Sequence, residues 1–113
     1  MRTMDTVVRD WYEGKGSDQE FDNFEERMFE LAGEQGLWYR SVYSTQNGMG
    51  MYEMFITNAG NVTDEADVNY KNSIVEKHDH VTLCEDLMKY GYEETAEMYF
   101  NNFMNKHKEE LGV

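Results

Sequence analysis

Glu76, His78, Asp79 and His80 form the chain's densest group of side chains able to ligate a metal. Imidazoles two residues apart lie on the same side of a β-strand, where both can reach one ion, but on a helix they diverge by about 200°. A catalytic site asks for a third protein ligand, and His107 and Cys84 can supply one only through folding. A small metal-binding protein or enzyme using His78, His80 and Cys84 is therefore one expectation. Against it stands an ordinary solvated connection between elements, and neither a metal ligand set nor a cofactor is assigned.

Cys84 beside a histidine also has the outline of a nucleophile and its base. The neighbouring Glu85 and Asp86 oppose that role, because two carboxylates disfavour a thiolate, so a structural thiol is the simpler reading. The acidic pairs Glu25-Glu26, Glu93-Glu94 and Glu109-Glu110 are adjacent in sequence and must diverge on a helix. They do not make the paired carboxylates of a glycosidase. Glu13-Gly14-Lys15-Gly16-Ser17 lacks the full spacing of a phosphate-binding loop and leads into an acidic segment.

Charge is more informative than any motif. The 113 residues include 23 acids and 10 bases, for a net charge of −13 with histidine neutral. A field of that sign repels phosphate backbones and anionic lipid surfaces, which disfavours direct binding to nucleic acid or membrane. The charge is also uneven. Residues 1–36 hold ten acids and four bases, residues 37–62 one of each, and residues 63–113 twelve acids and five bases. The neutral middle contains WYRSVYSTQNGMGMYEMFI, rich in aromatic residues and methionine. Apolar runs fall far short of the ~20 residues that span a bilayer, and MRTMDTVVRD has no signal-peptide core, so the chain reads as cytoplasmic. A single cysteine agrees with a reducing compartment.

The elements that must position these groups can be read from periodicity. Residues 3–13 place Met4, Val7, Val8 and Trp11 on one helical stripe. Ser17-Asp18-Gln19-Glu20 is a capping-box sequence opening a helix to about Ala32, with Phe21, Phe24, Met28 and Leu31 inward and Asp22, Glu25, Glu26 and Glu30 outward. Residues 37–57 then alternate about Asn47-Gly48, the dipeptide favoured in a two-residue type I′ turn, which predicts a β-hairpin. A turn at 47 and 48 pairs Tyr43 with Tyr52, Ser41 with Met54 and Tyr39 with Ile56 on one face, the better core candidate. The other face pairs Val42 with Glu53, Arg40 with Phe55 and Trp38 with Thr57, and both faces should be at least half covered. Gly50 offers a bulge that would exchange faces on the second strand.

Thr63 is placed to cap a further helix carrying Ala66, Tyr70 and Ile74, but SIVEKHDHVTL leaves a third strand near 74–81 open. Thr82-Leu83-Cys84-Glu85 is a second capping-box sequence, with Leu83, Leu87 and Tyr90 inward and Gly91 as the stop. A last helix from 92 or 93 to about 110 carries Ala96, Tyr99, Phe100, Phe103 and His107 at helical spacing. The expected fold is a single α+β domain over 1–113, with the hairpin packed against four or five helices.

The function expected from these features is a non-enzymatic, acidic protein-interaction module that binds and inhibits or modulates a basic, nucleic-acid-handling protein. Carboxylates at helical spacing can imitate a phosphate backbone and steer a basic partner. Small phage or mobile-element antagonists are one setting, by compositional analogy alone. Asp22, Glu25, Glu26, Glu30, Glu93, Glu94 and Glu97 are the candidate electrostatic surface, and Trp38, Met51 and Phe55 the candidate apolar anchors. Two competing readings are ordinary acidic solubility and a homodimeric structural module built on the hairpin's second face.

Overall fold

The computed structural model of the chain describes residues 19–46, 49–62 and 73–112. Along them run α1 (Gln19–Glu34), β1 (Leu37–Gln46), β2 (Met49–Asn58), a 3-10 turn at Ala59–Asn61, β3 (Ile74–Asp79), α2 (His80–Tyr90) and α3 (Tyr92–Leu111). The class is α+β, with three α-helices among the described residues rather than four or five. The helix expected at 3–13, the Gly14-Lys15-Gly16 loop, the cap at Ser17 and the first turns of a helix from Thr63 lie outside the described residues.

β1 and β2 pair antiparallel from Leu37 opposite Asn58 to Gln46 opposite Met49, without a bulge at Gly50. Tyr43 faces Tyr52, and Trp38 faces Thr57, the register that a turn at 47 and 48 requires. At the base, Ala59 N–H donates to Gly36 O at 3.0 Å, and Gly36 takes φ +69°, a left-handed conformation that glycine adopts without a Cβ penalty.

Ile74 belongs to a strand and not to a helix. β3 pairs antiparallel with β2, from Ile56 opposite Ile74 to Met51 opposite Asp79, giving the sheet order β1-β2-β3. The β-branched Ile74 and Val75 suit this pleated position beside Ile56 and Phe55.

Alternation divides the sheet into two faces. Leu37, Tyr39, Tyr52, Met54 and Ile56 are buried on the face that meets α1, α2 and α3. α1 brings Phe24, Met28 and Ala32, α2 brings Leu83 and Leu87, and α3 brings Ala96, Tyr99, Phe100, Phe103 and Leu111. Each large apolar side chain taken out of water contributes roughly 1.5–3 kcal/mol, so this shared core is what holds three otherwise marginal helices in place. Phe24 meets Tyr52 and Tyr99 edge-on, each at 5.9 Å between ring centroids, and so ties α1, β2 and α3 together.

Tyr43, expected in the core, is instead exposed on one side, with its ring against His80 at 4.8 Å. It lies toward the end of β1, opposite Tyr52. The second face carries Trp38, Val42, Met51 and Phe55, all partly buried, as expected of a sheet covered on both sides.

α2 opens one turn earlier than the sequence Thr82-x-x-Glu85 implies. Asp79 is the N-cap, with extended backbone, and its side chain accepts from Thr82 N–H at 3.1 Å. A carboxylate at the positive end of the helix is at least as good a cap as a threonine hydroxyl, and the early start places His80 and Cys84 on the same inner face as Leu83 and Leu87. Tyr90, expected inward, is 37% exposed, with Lys89 Nζ 5.0 Å from its ring centroid.

Gly91 ends α2 and begins α3 at φ 79° and ψ 171°, a backbone region reserved for glycine. Across this corner, the buried Thr95 hydroxyl donates to Asp86 O at 3.0 Å, satisfying a carbonyl near the end of α2. No helix among the described residues is long and apolar enough to cross a membrane.

Candidate functional site

α1 and α3 lie side by side, and both carry acids. Their closeness needs a cation between them, and Arg27 provides it. Its guanidinium donates to Glu30 Oε2 at 2.9 Å within α1 and to Glu97 Oε1 at 3.2 Å on α3. A planar guanidinium can serve two carboxylates at once where an ammonium would act as a point charge. These hydrogen bonds hold Arg27 even further above its already high range.

Beside this bridge a cleft of about 170 Å³ is lined by Asn23, Glu26, Arg27, Glu30, Tyr92 and Glu93. Glu26, Glu30 and Glu93, three of the acids singled out in the sequence, therefore share one concave surface, and Glu97 joins it through Arg27. Asp22 and Glu94 are exposed on the same two helices but do not line the cleft. Arg27, Asn23 and Tyr92 were not singled out. The available signal was that Arg27 is the lone base in the segment Gln19–Glu34.

Glu25 departs from its expected place. It turns toward the sheet, where Tyr39 OH donates to its Oε2 at 2.6 Å and Ser41 Oγ–H donates to its Oε1 at 2.5 Å. Burial raises its carboxyl to about 7, against the lowering effect of the Ser41 hydrogen bond and with a smaller upward push from Asp22. Glu25 is thus part of the joint between helix and strand, and it is removed from the electrostatic surface.

Trp38, Met51 and Phe55 alternate with the core-facing residues of β1 and β2, so the sheet separates them from the helical layer. Acids and apolar anchors do not form one surface.

The histidines are parted by the end of β3. His78 is in the strand, on the core face, with its ring 4.8 Å from Tyr99, and burial lowers it below its usual range. His80 is the first residue of α2, fully buried, with Nε2 3.7 Å from Cys84 Sγ. Burial lowers His80 to about 4, against the opposing pull of Asp79. The histidine beside Cys84 is His80, but Cys84 is 1% exposed and His80 0%, so no substrate reaches the thiol in this conformation.

Folding brings His107 on α3 to Glu76 on β3. His107 Nε2 lies 2.9 Å from Glu76 Oε1 and Nδ1 lies 3.1 Å from Glu110 Oε1, while Lys106 Nζ and His78 Nε2 each stand 3.5 Å from the Glu76 carboxylate. Burial lowers His107, but its hydrogen bonds to Glu110 and Glu76 outweigh it and raise the group overall. The arrangement is an ion-pair hub fastening β3 to α3. Among the described residues, no group of three His, Cys, Asp or Glu side chains converges closely enough to hold a metal ion.

Set beside known proteins, the chain matches no family model, no curated protein and no solved structure, so the geometry alone bears on its function.

Proposed function

We propose that the protein is a non-enzymatic interaction module that binds a basic, nucleic-acid-handling protein and inhibits or modulates it, through the acidic surface of α1 and α3. The observation that carries this reading is the convergence of Glu26, Glu30 and Glu93 on one cleft, with Glu97 tied to them by Arg27. Carboxylates held on two packed helices keep a fixed spacing, which favours recognition of a cationic surface over simple solubility. The net charge of −13 adds long-range attraction for a basic partner and repels nucleic acid itself. Trp38, Met51 and Phe55 lie across the sheet and are left out of this surface.

Affinity capture from a lysate at low and high salt tests the proposal, using the wild type and the double variant Glu26→Lys, Glu93→Lys. Both positions are exposed and neither holds Arg27, so the fold should survive. The expected result is a basic nucleic-acid-handling protein retained at low salt, released at high salt, and lost with the double variant. Capture that ignores both salt and variant removes the reading.

A further inference from the structure

Glu25 precedes Glu26 in sequence and, turned about 100° from it around α1, faces the seam between α1 and β1. Both of its oxygens are engaged, by Tyr39 OH at 2.6 Å and Ser41 Oγ at 2.5 Å, so helix and strand meet through one acid. Phe24, Tyr39 and Tyr52 in this layer are exposed to 1% or less, and the Tyr52 hydroxyl is buried without a hydrogen-bond partner among the described residues.

The other titratable groups facing the seam come from every packed element. Asp22 on α1 repels a charge on Glu25. Tyr52 on β2 feels that charge and is pushed up mainly by burial. Tyr99 on α3 donates to Asp86 Oδ2 on α2 at 2.7 Å. The base on α1, Arg27, is occupied by Glu30 and Glu97. Among the described residues no cation is paired with Glu25.

We infer that Glu25 is a proton-operated clasp between α1 and the hairpin: its protonated carboxyl seats the helix on β1, and its ionisation loosens that seat. In the neutral acid, one of the two short hydrogen bonds runs the other way, from the carboxyl O–H to a hydroxyl oxygen. In the carboxylate both hydroxyls donate, but a partly buried charge is then held near Asp22 with no counter-ion among the described residues. With the carboxyl raised to about 7, the change falls in the neutral range instead of the usual acidic one.

The clasp is tested against Glu25→Gln, an isosteric side chain that never ionises. The sign follows from proton binding: between the ordinary 4.5 and about 7 the unfolded chain has lost the Glu25 proton and the folded chain has kept it. Raising pH across that window therefore removes stability from the wild type relative to the variant. In urea unfolding from pH 4.5 to 8, the ratio of the variant's folding constant to that of the wild type should rise by up to about 100-fold. Over the same range the amides of α1 should lose hydrogen-exchange protection in the wild type, after correction for intrinsic exchange, and keep it in the variant. A ratio that does not change with pH overturns the clasp. Should the variant fail to fold, a carbon NMR titration of the Glu25 carboxyl in the wild type decides. A midpoint near 7 followed by the α1 amides supports the clasp; a midpoint near 4.5, or one near 7 that those amides ignore, overturns it.

Discussion

Two ionisable groups lie under β1, Glu25 beneath Tyr39 and Ser41, and His80 beside Tyr43 two residues further along the same face. Burial drives both toward their neutral forms, one acid raised to about 7 and one base lowered to about 4. The same physical cause gives opposite consequences. Below its ordinary 6.5, His80 in the unfolded chain takes up a proton that the folded chain refuses down to about 4, so falling pH costs stability at this corner. At the Glu25 corner, rising pH does so. Between about 4.5 and 6.5 the contributions of these two groups oppose each other and largely cancel.

Removing one group at a time should break that balance, with the largest effects. Glu25→Gln leaves the His80 slope uncovered, so the variant should gain up to about 3 kcal/mol relative to the wild type at pH 8 and almost nothing at pH 4. His80→Gln should do the reverse: its stability relative to the wild type should improve by up to about 3 kcal/mol between pH 7 and pH 4, read by urea unfolding at each pH. Its absolute stability at pH 7 should still be lower, because the amide does not reproduce the ring contact with Tyr43.

A smaller effect serves as a control. Gly91→Ala forces a Cβ onto a backbone at φ 79° and ψ 171°, with no atom within 4 Å to clash, so the penalty is conformational and about 1–3 kcal/mol. It should lower the thermal midpoint equally at pH 5 and pH 8, since no titrating group is changed. Tyr39→Phe sharpens the comparison further. It withdraws one hydrogen bond from Glu25, at about 1 kcal/mol when the acid is neutral and about 2 kcal/mol when it is ionised, so its effect should grow from pH 5 to pH 8. The smallest effect belongs to the surface: Glu26→Lys should change stability by less than about 0.5 kcal/mol at either pH, while weakening binding to a basic partner.

The hairpin register and the last helix were legible because the signals behind them are local. A two-residue turn at Asn47-Gly48 leaves one pairing that puts Tyr39, Tyr52, Met54 and Ile56 on a single face, and the spacing of Ala96, Tyr99, Phe100 and Phe103 admits one inner stripe. β3 was ambiguous because six residues bounded by polar ones carry too few apolar positions to separate period 2 from period 3.6. The start of α2 was misplaced because two capping signals overlap, and the choice between Asp79 and Thr82 depends on where β2 stops pairing with β3.

For the candidate site, the sequence by itself determined the composition of the surface: acidic helices flanking a neutral hairpin, with carboxylates at helical spacing on both flanks. That much follows from residue type and a local period. Only the tertiary structure decided that Glu26, Glu30 and Glu93 share a cleft, that Arg27 joins the two helices, and that Trp38, Met51 and Phe55 stand on the far side of the sheet. It also decided that Glu25 and Glu26, neighbours of the same chemistry, do different things. Successive helical positions differ by about 100°, so which of the two meets solvent depends on the rotation of α1 over the sheet, and that rotation is set by the packing of Phe24 and Met28 against residues far away in the chain.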